Sequence, residues 1–221
     1  HLQRMNVTLR GSHEYRKYNI NEDFFKCVNT EEKAYFLGFL YADGYNQVSK
    51  NQVRLTLSSI DSEILLKFNK ILEYDRPLLY LKNNKVVDLT INSKIISSDL
   101  VKLGCTQKKS FTITFPYNII PDNLIRHFIR GYFDGDGCIS LNRQNDVQIN
   151  ITGNTIFIGQ LQEILINNIN ASRTKLQLYK KSCSVYWHGR NVCLKVLNYL
   201  YKDSTISLER KNKLYKKIVS L

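Results

Sequence analysis

The stretch Phe36-Leu37-Gly38-Phe39-Leu40-Tyr41-Ala42-Asp43-Gly44 decides the fold, because it returns, loosely rewritten, as Ile129-Arg130-Gly131-Tyr132-Phe133-Asp134-Gly135-Asp136-Gly137. Each copy is an apolar run with Gly at its third position and Asp-Gly at its end, and Asp43 and Asp136 stand 93 residues apart (136 less 43). Such spacing indicates an internal duplication.

Both copies read as helices. Thr30 precedes Glu31, Glu32 and Lys33, so its hydroxyl can cap a first turn that carries acids at its positive end. The second helix is expected to start at Pro121-Asp122. Gly38 and Gly131 fall mid-helix, where Gly costs about 1 kcal/mol relative to Ala, so each needs a packing reason. Two helices crossing at glycines can approach more closely than side chains otherwise permit. Gly44 and Gly137 suit a left-handed residue that ends a helix. Pairing the helices brings Asp43 and Asp136 together at one end. There each carboxylate meets the negative end of a helix dipole and repels the other. A divalent cation removes the conflict, and two carboxylates completed by phosphate and water are the ligands that Mg²⁺ takes.

The paired runs resemble the two motifs of the LAGLIDADG homing endonuclease family in its single-chain, two-repeat form. Copy one has Tyr41 where that family often has an acid, and Phe36-Leu37 for Leu-Ala; copy two has Arg130 at its second position and keeps Asp134-Gly135-Asp136-Gly137. The penultimate acid is present in both. The resemblance covers about residues 30 to 215. It implies a site-specific endonuclease that hydrolyses both strands of double-stranded DNA at a long asymmetric target, with a short stagger and the acids over the minor groove. The metal set is then Asp43 and Asp136 with Ala42 and Gly135 beside them. The ion is Mg²⁺ or Mn²⁺, with Ca²⁺ as a non-supporting substitute. The family supplies cations after the last helix of each half, where this chain has Lys108-Lys109 and Arg210-Lys211. On that basis Lys109 and Lys211 are assigned as charge-stabilising or water-polarising catalytic groups. Ser59 and Gly153-Asn154 match strand ends where the family places a water-positioning side chain. Asp134 is left between holding water or metal from behind and facing solvent. The rival readings on the same fold are an RNA-binding intron maturase and a cleavage-inactive DNA-binding protein.

The rest of the chain fits a duplicated α+β unit. Val53 to Ser58 alternates apolar and polar, and Val147 to Thr152 repeats the pattern in phase. A helical pattern follows each: Ile64-Leu65-Phe68-Ile71-Leu72, then Ile156-Phe157-Leu161-Ile164-Leu165. Hairpins are expected from Leu78–Leu81 with Val86–Ile91 around Asn83-Asn84, and from Leu176–Tyr179 with Ser184–Trp187. Closing helices are expected near Lys94–Leu103 and Asn191–Tyr201. The order is αββαββα, twice, as a fused pseudo-twofold unit with antiparallel DNA-binding sheets. Its parts are an N-terminal extension (1–29), a first half (30–105), a linker (106–120) and a second half (121–221). The polar, basic opening lacks an initiator Met, as expected of the trimmed end of a longer polypeptide.

Composition points to the partner. The 221 residues carry 32 Lys and Arg against 19 Asp and Glu, a formal +13, which favours a polyanion without choosing among DNA, RNA and membrane. No apolar run approaches the roughly 20 residues a bilayer requires, and no signal peptide is evident, so an intracellular protein is expected; the resemblance implies a monomer acting with DNA. The five cysteines never space as Cys-x-x-Cys and are expected as thiols. The four histidines show no close metal spacing. Arg54, Thr56 and Ser58 share one strand face, as do Gln148, Asn150 and Thr152; Lys175, Gln177, Tyr179 and Lys181 share another nearby. Arg, Gln and Asn read base edges in the major groove while Lys contacts phosphate, so these residues are the candidate DNA contacts.

Overall fold

The computed structural model describes residues 17–107 and 112–221. Thr30 caps α1 (Glu31–Asp43), its Oγ1 accepting the Lys33 amide at 3.4 Å. The chain passes directly into β1 (Gly44–Gln47), then β2 (Gln52–Ser58), α2 (Ser62–Ile71), the hairpin β3 (Leu79–Leu81) and β4 (Val86–Asn92), and α3 (Lys94–Lys102). Asn83 and Asn84 both take positive φ in the hairpin turn, as Asn tolerates. The second half repeats the order: α4 (Ile125–Asp136), β5 (Gly137–Leu141), β6 (Val147–Gly153), α5 (Thr155–Ile169), β7 (Gln177–Leu178), β8 (Cys183–His188) and α6 (Arg190–Tyr201). The sheets are antiparallel in matching orders, β1-β2-β4-β3 and β5-β6-β8-β7. Each half is thus an α+β unit whose sheet buries one face on its helices, through Val53, Leu55, Val87 and Leu89 in the first and Ile149, Ile151, Val185 and Trp187 in the second.

The motif helices cross at their glycines. A Cβ on Gly38 would overlap the carbonyl oxygen of Phe128, and one on Gly131 would overlap that of Tyr35. No other residue permits this approach, which is why the helix propensity cost is borne twice.

Four expectations change. Gly44 (φ −73°, ψ 144°) and Gly137 (φ −98°, ψ 162°) are extended, not left-handed. Each strand folds straight back over the last turn of its helix, and a Cβ would strike Leu40 or Phe133, so Gly is there for space. The second motif helix begins one turn later than Pro121, which opens a 3₁₀ turn over Asp122–Leu124. A further helix, α7 (Glu209–Val219), follows α6 and has no counterpart among the described residues of the first half. β7 is only two residues long, so Lys175, Tyr179 and Lys181 lie outside it.

Segments flanking the halves join their cores. Phe24 and Phe25 are buried against Phe68, and Phe115 packs on Phe128 and Phe157. None of the five cysteines forms a disulfide, and Cys105, Cys183 and Cys193 are buried. Among the described residues no helix is long and apolar enough to cross a membrane.

Candidate active site and nucleic-acid interface

The crossing delivers both penultimate acids to one place. A Cβ on Gly135 would touch the Ala42 side chain and lie 3.0 Å from Asp43 Oδ2, so the first motif's carboxylate rests against the backbone just before Asp136. Asp43 is exposed and Asp136 half-buried. The Tyr132 hydroxyl donates to Thr152 O at 2.9 Å. Burial pushes this phenol well above its ordinary pKa, and the Asp136 and Asp43 carboxylates push it further, so both acids act on one side chain. A pocket of about 180 Å³ opens beside Asp136, lined among others by Ala42, Tyr132, Asn154 and Lys181. Asn154 caps α5 through Phe157 N at 2.8 Å and donates to Ile113 O. Ser59 sits in a 3₁₀ turn at the end of β2. Among the described residues no group of three or more His, Cys, Asp or Glu is placed to hold a metal, so two carboxylates are the acidic set here.

Behind the acids lies a polar network that the sequence did not reveal. Asp134 does not face solvent: it is 1% exposed and accepts from Tyr35 Oη at 2.7 Å, Tyr201 Oη at 2.5 Å and Leu208 N at 2.7 Å. Burial raises its pKa, opposed first by Lys211 and then by these donors. Arg130, fully buried, donates to Ile206 O, Leu200 O and Glu31 Oε1 at 2.8, 2.9 and 2.7 Å, and contacts His127 Nδ1 at 2.9 Å. Burial opposes the charge on Glu31, but the Thr205 amide and Arg130 outweigh it and hold the carboxyl below its usual value.

Lys211 is 1% exposed. Its ammonium donates to the carbonyls of Phe133, Asp134 and Gly137 at 2.5, 2.9 and 2.5 Å, bracing the end of α4 from beneath. Burial lowers its pKa to about 8. Arg210 reaches back to the first half, Nε lying 2.8 Å from Asp61 Oδ1. Lys109 lies outside the described residues.

The two sheets differ on their open faces. In the first, Arg54, Thr56 and Ser58 are exposed, as expected, and Arg54 and Thr56 flank a buried acid, Asp88. Asp88, 3% exposed, accepts from Thr56 Oγ1 at 2.6 Å, Thr90 Oγ1 at 2.7 Å and Arg54 Nη2 at 3.2 Å. Burial opposes its charge, and these three donors overcome it, holding the carboxyl below its ordinary pKa. The signal was present in Val86 to Ile91, where alternation puts Asp88 and Thr90 on the face of Arg54. In the second sheet Gln148, Asn150 and Thr152 are half-buried, and Thr152 Oγ1 meets Ser184 Oγ at 2.7 Å. Tyr179 is hydrogen-bonded to Gln177 and Tyr186, while Lys175 and Lys181 are exposed.

This arrangement of duplicated halves around two crossed helices has known counterparts. I-GzeII in complex with its DNA target superposes with a TM-score of 0.59 at 14% identity, over 87% of this chain and 89% of that one. I-LtrWI bound to target DNA gives 0.57 at 11% identity, over 90% of each chain. I-SmaMI bound to uncleaved DNA in the presence of calcium ions gives 0.53 at 12% identity, over 85% and 89%. The fold is that of the LAGLIDADG homing endonucleases. Residues 123–218 match the model of the LAGLIDADG-like domain, which covers α4 through most of α7. Two curated relatives come from Methanocaldococcus jannaschii: a replication factor C small subunit, 28% identical over 113 residues, and a reverse gyrase, 36% identical over 110 residues. These matches take in 49% and 48% of this chain and only 6% of either relative, so this chain spans a small part of their length.

Proposed function

We propose that this LAGLIDADG chain is a monomeric, site-specific endonuclease that hydrolyses both strands of double-stranded DNA at a long asymmetric target. The observation that carries the reading is the convergence of Asp43 and Asp136, one from each half, on adjacent backbone and on the same phenol. Two such carboxylates at the negative ends of two helices repel each other, and a cation held between them relieves that repulsion. The donor set fits Mg²⁺ or Mn²⁺: two carboxylates, with Ala42 and Gly135 beside them, leaving the remaining positions for phosphate and water. When bound there, the ion supplies Lewis-acid stabilisation of phosphate charge and a water of lowered pKa. The chain's own residues position this chemistry. Gly38 and Gly131 set the separation of the acids, Tyr132 and the α4 end fix Asp136, and Lys211 adds positive potential beneath the site while holding that end in place. Lys109 is assigned the corresponding role in the first half by its sequence position. The open faces of the two sheets supply recognition. Their chemistry differs, which suits an asymmetric site, and the DNA-bound neighbours of the same fold favour duplex DNA over RNA.

The test is to incubate the protein with a randomised double-stranded library in Mg²⁺ or in chelator and to sequence the ends. Ion-dependent cutting at one long site with a fixed stagger is expected, together with its loss in Asp43→Asn and Asp136→Asn while binding persists. Cleavage surviving both substitutions would place the chemistry elsewhere. Selective binding of a structured intron RNA without any DNA cleavage would favour a maturase.

A further inference from the structure

Asp88 is the one carboxylate buried on the open face of the first sheet, and its position is central. β2 and β4 are the inner strands, with Arg54 paired to Thr90 and Thr56 paired to Asp88. An ionised carboxylate accepts only, whereas a hydroxyl has a single proton and two lone pairs. Thr56 and Thr90 both give that proton to Asp88. What each hydroxyl has left to present outward is therefore acceptor character alone. Arg54 spends one N–H on Asp88 and keeps the rest of its fork, held from one side by the ion pair.

We propose that Asp88 is a specificity-determining residue: it fixes the hydrogen-bonding polarity that Thr56, Thr90 and Arg54 show to DNA. The inference rests on the DNA-binding reading of the sheet and deepens it. In the major groove, acceptor-only hydroxyls select bases that carry an amino group, cytosine through N4 or adenine through N6, and reject the acceptors guanine O6 and thymine O4. A pre-aimed guanidinium selects guanine through O6 and N7. Same-face neighbours along a strand lie about 7 Å apart, about two base-pair steps, so these side chains cover a block of about three base pairs. The block reads as guanine next to cytosine or adenine. The second sheet supplies the contrast. Its corresponding pair, Thr152 and Ser184, shares one hydrogen bond in which either hydroxyl can donate. With no carboxylate to settle the direction, that position accommodates donors and acceptors alike.

The experiment is a binding selection with the full chain on a randomised duplex library in chelator, so that cleavage plays no part, run for the wild type and for Asp88→Asn. The amide is nearly isosteric but brings an N–H₂ that donates to a threonine and turns that hydroxyl's proton outward. The wild type is expected to prefer amino-bearing bases opposite the threonines by roughly 5- to 150-fold per base pair, the range of a good direct contact. Asp88→Asn is expected to lose that preference and admit guanine or thymine in this block alone, with the second half-site unchanged. Thr90→Val removes one hydroxyl at constant shape and should flatten a single base pair within the same block. It supplies an independent reading if the amide variant does not fold. A wild type that selects a site, with both variants keeping its preferences in this block, overturns the inference and leaves the DNA reading intact. A wild type that enriches no sequence removes both.

Discussion

Gly38→Ala isolates what the helix crossing does. In an open helix position Gly to Ala is stabilising by about 1 kcal/mol, and Gly159, inside α5 with nothing within 4 Å of its missing Cβ, provides that reference in the same protein. At Gly38 the same methyl would overlap the Phe128 carbonyl and press on the Tyr132 amide, and both obstacles are backbone. To restore ordinary contact the helices must part by on the order of 1 Å, and forcing a methylene-sized group into a packed core costs about 1–3 kcal/mol. Set against the propensity gain, the net loss is up to about 2 kcal/mol. The effect on chemistry should be larger, because the same separation moves Asp43 relative to Asp136, and a displacement of about 1 Å costs roughly 10²-fold in rate. Urea unfolding and single-turnover cleavage at saturating DNA measure the two separately. Gly159→Ala should gain stability at unchanged cleavage, while Gly38→Ala should lose both. Equal gains at both positions, with cleavage intact, would refute the close-approach reasoning.

Asp134→Leu leaves two tyrosine hydroxyls and the Leu208 amide without their acceptor and should cost about 3–5 kcal/mol; Asp134→Asn, which can keep an oxygen toward Tyr35 and Leu208 and donate to Tyr201, should cost about 1–2, both read by chemical denaturation. His127 has its pKa lowered to about 4, first by burial and then by Arg130. It stays neutral in the fold while the unfolded chain takes up a proton near pH 6.5. The stability it contributes is therefore present above pH 6.5 and is lost as pH falls toward 4, by about 3 kcal/mol, and His127→Asn should flatten that part of the stability curve. DNA affinity should fall steeply with salt, about one unit of log–log slope for each phosphate neutralised, and Lys181→Ala should lower the slope without altering the selected sequence.

The parts of the fold legible in the sequence are those set by local chemistry or by repetition. Gly38 and Gly131 are conspicuous because glycine mid-helix is costly, the paired Asp-Gly ends because they repeat, and the Asn83-Asn84 hairpin because Asn tolerates positive φ. What stayed hidden depends on partners distant in the chain. Asp134 in a run of Asp and Gly looks solvated until Tyr35, Tyr201 and Leu208 are brought to it across the fold. Lys211 stands in Glu209-Arg210-Lys211-Asn212-Lys213, which reads as a wet basic face; only the docking of α7 under α4 buries it. Asp88 was within reach, since the alternation that marks β4 also places it beside Arg54.

The two flanks of the helix crossing are unlike. At the offset of 93 residues, Tyr35 corresponds to Phe128 and Asp134 to Tyr41. One flank is a phenol bonded to a buried carboxylate, and the other is Tyr41 stacked edge-on against Phe128 with centroids 5.0 Å apart. Likewise Arg130 meets Glu31 where the opposite flank offers Leu37 and Leu124. A second half paired with its own copy would set Asp134 against Phe128 and Arg130 against Leu124, stranding an anion and a cation on each flank. A first half paired with itself would leave Glu31 without its arginine. The duplication has thus become a one-way commitment: each repeat keeps the outline of a self-associating subunit, but its interface chemistry now accepts only its sibling.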